Sequence, residues 1–362
     1  TRFTTLFPYT TLFRSHVVGD LYYRGAHGDA VIDRLMAYHS LDIQWGNHDI
    51  CWMGAAAGSE ACVATVVRNC VHYQTLDILE GSYGISLREL ALFAEKTYAE
   101  QDVLSACEKA ITVIMLKVSG QLISRHPEFD MADRLLLGGV DASAGTVRIG
   151  GWSYELVTRD FPTLEPSRPY ELTDEERRVL DGLVESFTHS RRLRRHVDFL
   201  YEKGSVYLAY NNNLLFHGCV PMRADGSFRP IRVGGRHIAG RAYLDACDRM
   251  ARIAWHERTP EALDWMWYLW CGLGSPLSGR TMKTFERTFV ADRSAWAEEQ
   301  DPYFELTCEP GACEHVLAEF GLSGPASHII NGHTPVARAS GESPVRGGGR
   351  RLVIDGGFCR VI

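Results

Sequence analysis

Four short segments of this chain carry side chains suited to chemistry. Gly19 and Asp20 are followed four residues later by Arg24 and Gly25, and residues 46–49 read Gly-Asn-His-Asp. Single histidines close two apolar runs, His217 in LLFHG and His333 in IINGHTP. Asp20, Asn47, His217 and His333 together offer a carboxylate, a side-chain amide and two imidazoles. That is an oxygen and nitrogen donor set for a divalent transition metal such as Mn²⁺, Fe²⁺ or Zn²⁺. Glycine beside each donor lets the backbone turn sharply and approach a ligand closely. An aspartate has two oxygens and can bridge two ions, and two ions ~3.5–4 Å apart can clamp a phosphoryl group and activate water. His48, next to a donor, is suited to protonate a leaving alkoxide. Arg24 could grip phosphoryl oxygens with its planar fork. Asp49 reads either as a third member of this catalytic group or as a cap for the helix that follows. Each segment alone has a plainer reading, a turn or a satisfied core histidine. Their order and spacing favour one shared metal site.

A second set of cations could meet a substrate. Arg280, Lys283 and Arg287 are candidates for a substrate phosphate, and Arg280 and Arg287, seven apart, would share a face if helical. Arg191, Arg192, Arg194 and Arg195 form a dense basic patch, which reads as a solvated helix face paired with acids rather than as an anion site. Asp355-Gly356-Gly357 has the look of a strand-end loop, with no ligand role assigned. The ten cysteines contain no CxxC pair, and they read as reduced, mostly buried thiols rather than a zinc site. No GxxxxGK[ST] motif occurs, and no GxGxxG follows a strand, so neither nucleotide-binding fingerprint is supported.

The elements that must position these residues can be read from periodicity. Residues 16–20 form a short apolar run. Residues 29–39 have helical spacing, with Val31, Leu35 and Tyr38 on one side. Residues 41–45 are a second strand candidate. Strand, helix and strand in about thirty residues is a βαβ unit, which predicts a parallel sheet with its site loops at the strand ends. One helix is expected over residues 52–73, and further helices over 87–98 and 102–126. A hairpin is expected over 140–156. Residues 172–203 should be helical, opened by a Thr173–Glu176 capping box. Strands are expected at 205–210, 214–216, 328–331 and 352–355, and helices at 241–256 and 313–320. The tryptophans of residues 263–271 read as core. The division that follows is residues 16–75 and 204–362 as two parts of an α/β core, with 76–203 as a mostly helical insertion.

Composition sets limits on function. The chain of 362 residues is 45% hydrophobic and 23% charged, a globular balance too long for one ordinary single-core domain. Its net charge of -7 disfavours a nucleic-acid partner. The longest apolar stretches, near residues 111–116 and 265–273, are shorter than the ~20 residues a bilayer requires. Neither a membrane role nor a secretory signal is indicated, and a cytoplasmic location is expected. Residues 1–15 lack any core pattern, and residues 5–15 resemble an in-frame translation of a sequencing adapter. The expectation is that they are non-native and that the chain is cut at both ends.

The blocks GDxxxRG, GNHD, HG and GH resemble the calcineurin-like metallophosphatase superfamily, in its phosphoprotein-phosphatase-like branch. Longer runs are similar to class III fructose-1,6-bisphosphatases of the Firmicutes type: the stretch through IQWGNHDICWMGAAAGS, the segment GSPLSGRTMKTFERTF, and SHIINGHTPV with RLVIDGGF. The resemblance covers essentially all of residues 16–362. It implies a metallophosphatase-like β-sandwich core with flanking helices, and hydrolysis of the 1-phosphate of fructose 1,6-bisphosphate in gluconeogenesis, usually with Mn²⁺. The partner implied is a sugar bisphosphate, with a homo-oligomer left open. Asp20 then resembles the bridging ligand, and Asn47, His217 and His333 the other ligands of the second metal. His48 matches the catalytic histidine and Arg24 the phosphate-binding arginine. Two departures stand out. The family's earlier Asp-x-His block, which holds the first metal, does not occur here. Tyr23 stands where the family's GDxxDRG has an aspartate that orients the histidine, and a phenol cannot balance an imidazolium as a carboxylate does. The chain as it stands is therefore expected to turn over little. The alternatives are another calcineurin-like phosphoesterase and a non-catalytic metal-binding chain.

Overall fold

A computed structural model of the chain describes residues 14–337 and 341–355. The chain opens as expected, with β1 (Ser15–Val17), α1 (Gly28–Met36) and β2 (Leu41–Gln44). β1 and β2 pair in parallel, Ser15 opposite Leu41 and Val17 opposite Ile43. Every residue of β2 is buried, as a parallel strand covered on both faces requires. The expected face of α1 is not the observed one. Val31 and Tyr38 are exposed, and Ile32 is the fully buried residue. The cause is the neighbour: Asp29 and Asp33 of α1 turn toward Arg192, which holds them at 2.8 and 2.7 Å, and that contact fixes the rotation of the helix.

Two long helical expectations each divide at a capping residue. Residues 47–73 are α2 (Asn47–Ala57) and α3 (Glu60–His72). Gly58 ends the first in the left-handed region at φ 103°, and the Ser59 side chain accepts a hydrogen bond from the Cys62 amide to start the second, so glycine and serine do what end-caps require. α4 (Arg88–Thr97) and α5 (Val103–Arg125) follow. The expected hairpin is instead a three-stranded antiparallel sheet, β3 (Val140–Asp141), β4 (Thr146–Ile149) and β5 (Trp152–Glu155). α6 (Asp174–His189) and α7 (Arg191–Lys203) are separated by Ser190, whose side chain caps α7. The capping box at Thr173 and Glu176 is formed in both directions. Glu176 also meets Lys117 of α5 at 2.7 Å, both side chains fully buried.

α7 leads directly into β6 (Gly204–Ser205), which pairs in parallel with β2 and completes a three-stranded sheet. β7 (Tyr207–Tyr210) and β8 (Asn213–Phe216) begin a second sheet. A small hairpin, β9 (Ile231–Val233) with β10 (Arg236–Ile238), precedes α8 (Gly240–His256) and α9 (Pro260–Cys271). Trp265, Trp267 and Trp270 of α9 are buried in the core. After α10 (Thr284–Phe289), α11 (Tyr303–Leu306) and α12 (Pro310–Glu319), the second sheet is completed by β11 (His328–Asn331), β12 (Val345–Arg346) and β13 (Arg351–Val353). Its order is β12-β13-β11-β8-β7, with β11 parallel to both β8 and β13. The architecture is mixed α/β with helices predominating. Among the described residues no helix is long and apolar enough to cross a membrane.

Candidate metal centre and substrate cleft

Asp20, Asn47, His217 and His333 come together from four segments. Asp20 follows β1, Asn47 opens α2 after β2, His217 follows β8, and His333 lies just beyond β11. Ligand atoms of Asp20, His217 and His333 all lie within 4.8 Å of one another. His217 Nε2 is 3.4 Å from an Asp20 carboxylate oxygen and 3.2 Å from His333 Nδ1. Atoms bonded to one tetrahedral ion at ~2.1 Å would be about 3.4 Å apart, so the spacing fits a shared cation. The His217 tautomer is set from behind, because its Nδ1 donates to the Val18 carbonyl at 2.6 Å and leaves Nε2 free to face the cluster,. Asn47 donates through Nδ2 to the Trp270 carbonyl at 3.1 Å, while its buried Oδ1 has no partner among the described residues. A buried carbonyl oxygen held in place and left unbonded is what an oxygen donor awaiting a cation looks like.

The backbone is strained at this point. Asp20 and His333 take φ of 60° and 67°, unusual for residues with a side chain,. A Cβ at Gly46 would collide with the Asp20 carboxylate, and one at Gly19 with the Gly46 backbone, so both loops need glycine to pass so closely. Asp49 ties them together. Its carboxylate accepts from the amides of Asp20, Tyr22 and Gly46 at 2.8, 3.2 and 2.9 Å. It is fully buried behind the site, where it positions the loop and caps α2, and it does not line the cleft.

The charges respond to one another. Burial alone would raise the Asp20 pKa, but His217 and His48 outweigh it and hold the carboxyl well below its usual range. Burial would depress His217, yet the Asp20 carboxylate raises it. His333 is pushed well below the usual imidazole value by burial and then by His217. The His48 amide donates to Asp20 at 3.1 Å, and burial lowers the pKa of its ring. Tyr23 packs its ring 4.5 Å from that of His48, centroid to centroid. Burial of the phenol pushes its pKa up to about 12, so it remains neutral and gives His48 no counter-charge. Arg24 stacks between Tyr23 and Tyr73, 4.7 and 4.8 Å from the two rings.

These groups open into a cleft of about 540 Å³ whose walls include Arg24, Arg280, Lys283 and Arg287. The three cations of the second set do reach one cavity, but not from one helix face: only residues 284–289 are helical, and Arg280 lies in an extended bridge with Gln300. Arg280 donates to Thr334 beside His333, whereas Arg287 pairs with Glu298 at 3.0 Å. Arg192 and Arg195 are absent from the cleft and pair with Asp33, and Arg192 also with Asp29. Sequence reading missed Arg68, His72 and Glu108, which also line the cleft. The signal for Arg68 was the single arginine of a helix rich in Ala, Val and Cys. Glu108 lies in the segment read as carrying no chemistry. Asp355 lines the cleft, while the two glycines after it fall outside the described residues, as do residues 1–13. Of the reading of residues 1–15, only Arg14 and Ser15 are described; Arg14 pairs with Asp42 and Ser15 heads β1.

Among the described residues, the Asp20 carboxylate and the His217 and His333 imidazoles form a group that could hold a metal ion, next to a cleft whose walls carry both cationic and acidic side chains. The model of the Firmicute fructose-1,6-bisphosphatase family matches residues 3–362. The chain is 47% identical to the class 3 fructose-1,6-bisphosphatase of Listeria monocytogenes serotype 4b over 371 residues, 95% of this chain and 57% of the relative. It is 44% identical to a class 3 enzyme of Clostridium beijerinckii over 372 residues, 96% of this chain and 56% of the relative. No solved structure matches. The chain belongs to the Firmicute fructose-1,6-bisphosphatase family, and it spans little more than half the length of these curated relatives.

Proposed function

We propose that this site hydrolyses a phosphomonoester, converting fructose 1,6-bisphosphate and water to fructose 6-phosphate and phosphate, the reaction for which the curated relatives are named. The proposed reading includes a role in gluconeogenesis, a cytoplasmic location and Mn²⁺ as the cation. The observation that carries the reading is the grouping of the Asp20, His217 and His333 ligand atoms within 4.8 Å, with the unbonded, buried Asn47 Oδ1 on a residue that lines the same cleft as Asp20 and His333. Those four residues would hold the ion. A divalent ion bound there supplies Lewis-acid polarisation of a phosphoryl oxygen and lowers the pKa of bound water. The protein's own groups do the rest. Arg24 and Arg280 orient and neutralise the phosphoryl oxygens, Lys283 and Arg287 attract the second charged end, and His48 donates a proton to the departing sugar oxygen. The parallel sheet β1-β2-β6 and the mixed sheet β12-β13-β11-β8-β7 are read as the halves of a metallophosphatase-type sandwich, and residues 76–203 as an insertion on it.

Phosphate release from fructose 1,6-bisphosphate, with Mn²⁺ and after chelation, tests the reading. Release that requires the cation and is lost in His217→Ala supports it. Cation binding without phosphate release from any phosphomonoester would instead favour a non-catalytic chain. The specific observation behind that second reading is Tyr23, which packs on His48 where a carboxylate would orient it.

A further inference from the structure

Arg68 is a cleft arginine with no role so far. It lies on α3 among Val66, Val67 and Cys70 and is only 8% exposed. Its Nη2 donates to Thr288 Oγ1 at 3.3 Å, and its Nη1 reaches Asn69 Oδ1 at 3.4 Å. The carboxylate facing it, Glu108, is 3.8 Å away and is bonded more closely to His72, at 2.7 Å. Its Nε is buried with no partner among the described residues, and the same holds for Nε of Arg24 and of Arg280. All three arginines line one cleft. Desolvated guanidinium N–H groups left unbonded are costly, unless the acceptors arrive with the ligand.

The three differ in what they adjoin. Arg280 touches Thr334 beside His333, and Arg24 stacks on Tyr23, which packs against His48. Arg68 has neither contact and is tied instead to Thr288, the neighbour of Arg287 on α10. Burial also pulls its pKa below the usual arginine value, and the Glu108 carboxylate at 3.8 Å only partly offsets this.

We propose that Arg68, with Arg287, holds the phosphate that is not cleaved and so selects bisphosphorylated sugars over monophosphates. This rests on the reaction proposed above. The test compares wild type, Arg68→Gln and Arg68→Lys, all loaded with Mn²⁺, by kinetics and by calorimetric binding of fructose 6-phosphate. Arg68→Gln should raise KM for fructose 1,6-bisphosphate about tenfold more than KM for p-nitrophenyl phosphate, with kcat changing less. It should weaken fructose 6-phosphate binding about tenfold, the size of one lost charge-assisted hydrogen bond. Arg68→Lys should fall between. Equal changes in KM for both substrates, or unaltered fructose 6-phosphate binding, would overturn the role of Arg68. A wild type that hydrolyses neither substrate overturns the proposed reaction, and the binding arm still decides for Arg68. Should Arg68→Gln not fold, Arg287→Gln, at a half-exposed side chain, must show the same discrimination or the proposal fails.

Discussion

Replacing Asn47 by alanine separates a metal ligand from a structural amide, because its two amide atoms do opposite things. Without a cation, Oδ1 is a buried acceptor with no partner among the described residues, a burden of ~1–3 kcal/mol that the substitution removes,. Loss of Nδ2 leaves the Trp270 carbonyl unbonded, a cost of similar size,. The two nearly cancel, and the metal-free variant should unfold within ~1 kcal/mol of wild type. With cation the balance shifts. Loss of even an outer-shell partner weakens metal affinity ~10–100-fold, and loss of a ligand belongs at the upper end. At an Mn²⁺ concentration 100 times the wild-type Kd, linkage stabilises wild type by ~2.7 kcal/mol and a 100-fold weaker variant by only ~0.4. Urea unfolding with and without MnCl₂ should therefore show a variant that is normal alone and ~2.3 kcal/mol deficient with metal. Equal Mn²⁺ stabilisation of both proteins would remove Asn47 from the ligand set. A metal-free loss well above ~2 kcal/mol would show that the oxygen is not orphaned.

Tyr23→Asp should raise turnover of fructose 1,6-bisphosphate by ~10²-fold or more, since an aspartate orienting a catalytic histidine is worth up to ~10⁴ elsewhere; unchanged kcat in a folded variant would refute this. Glu176→Gln keeps the cap of α6 but strands the buried Lys117 ammonium, and should cost ~3–5 kcal/mol in urea unfolding, most of it recovered by adding Lys117→Met. Glu286 is fully buried, and burial would raise its pKa, but the Arg134 fork at 2.7 and 2.6 Å lowers it on balance. Its contribution is therefore complete above the unfolded value, near ~4.3, and is lost as pH falls through the folded one. The destabilisation caused by Glu286→Gln should be largest near neutrality and shrink in acid, and a penalty that does not vary with pH would contradict the pairing.

The placing of the candidate residues was legible in the sequence because they sit at strand ends. An apolar run that stops at Asp20, Asn47 or His217 marks both the element and the place where the chain turns out of it with a polar side chain. The parallel pairing of β1 and β2 was legible for the same reason, since strand, helix and strand leave one handed solution. What sequence could not show was set by distant partners. The rotation of α1 answers to Arg192, more than 150 residues away. Arg68 reads as one more polar residue of a mixed helix until Thr288 of α10 is seen against it. Asp49 has the composition of a catalytic acid, and only its three backbone donors reveal it as a brace. The break at Gly58 was hidden by uninterrupted apolar spacing on both sides, although Gly-Ser itself is a stop and start signal.

That break also sets a length. α2 begins at Asn47, and α3 folds back along it: Gly54 abuts Cys62, Cys51 donates to the Cys62 carbonyl, and His48, Val66 and Asn69 line one small hollow. The cation end and Arg68 are thus two marks on one folded ruler whose crease is Gly58–Ser59. Adding a residue at the crease would advance α3 by ~1.5 Å and turn it by ~100°, swinging Arg68 out of the cleft without touching any ligand of the ion. If Arg68 holds the second phosphate as proposed, which molecules fit between the marks is governed by a turn that meets neither, and the span can alter while the chemistry stays fixed.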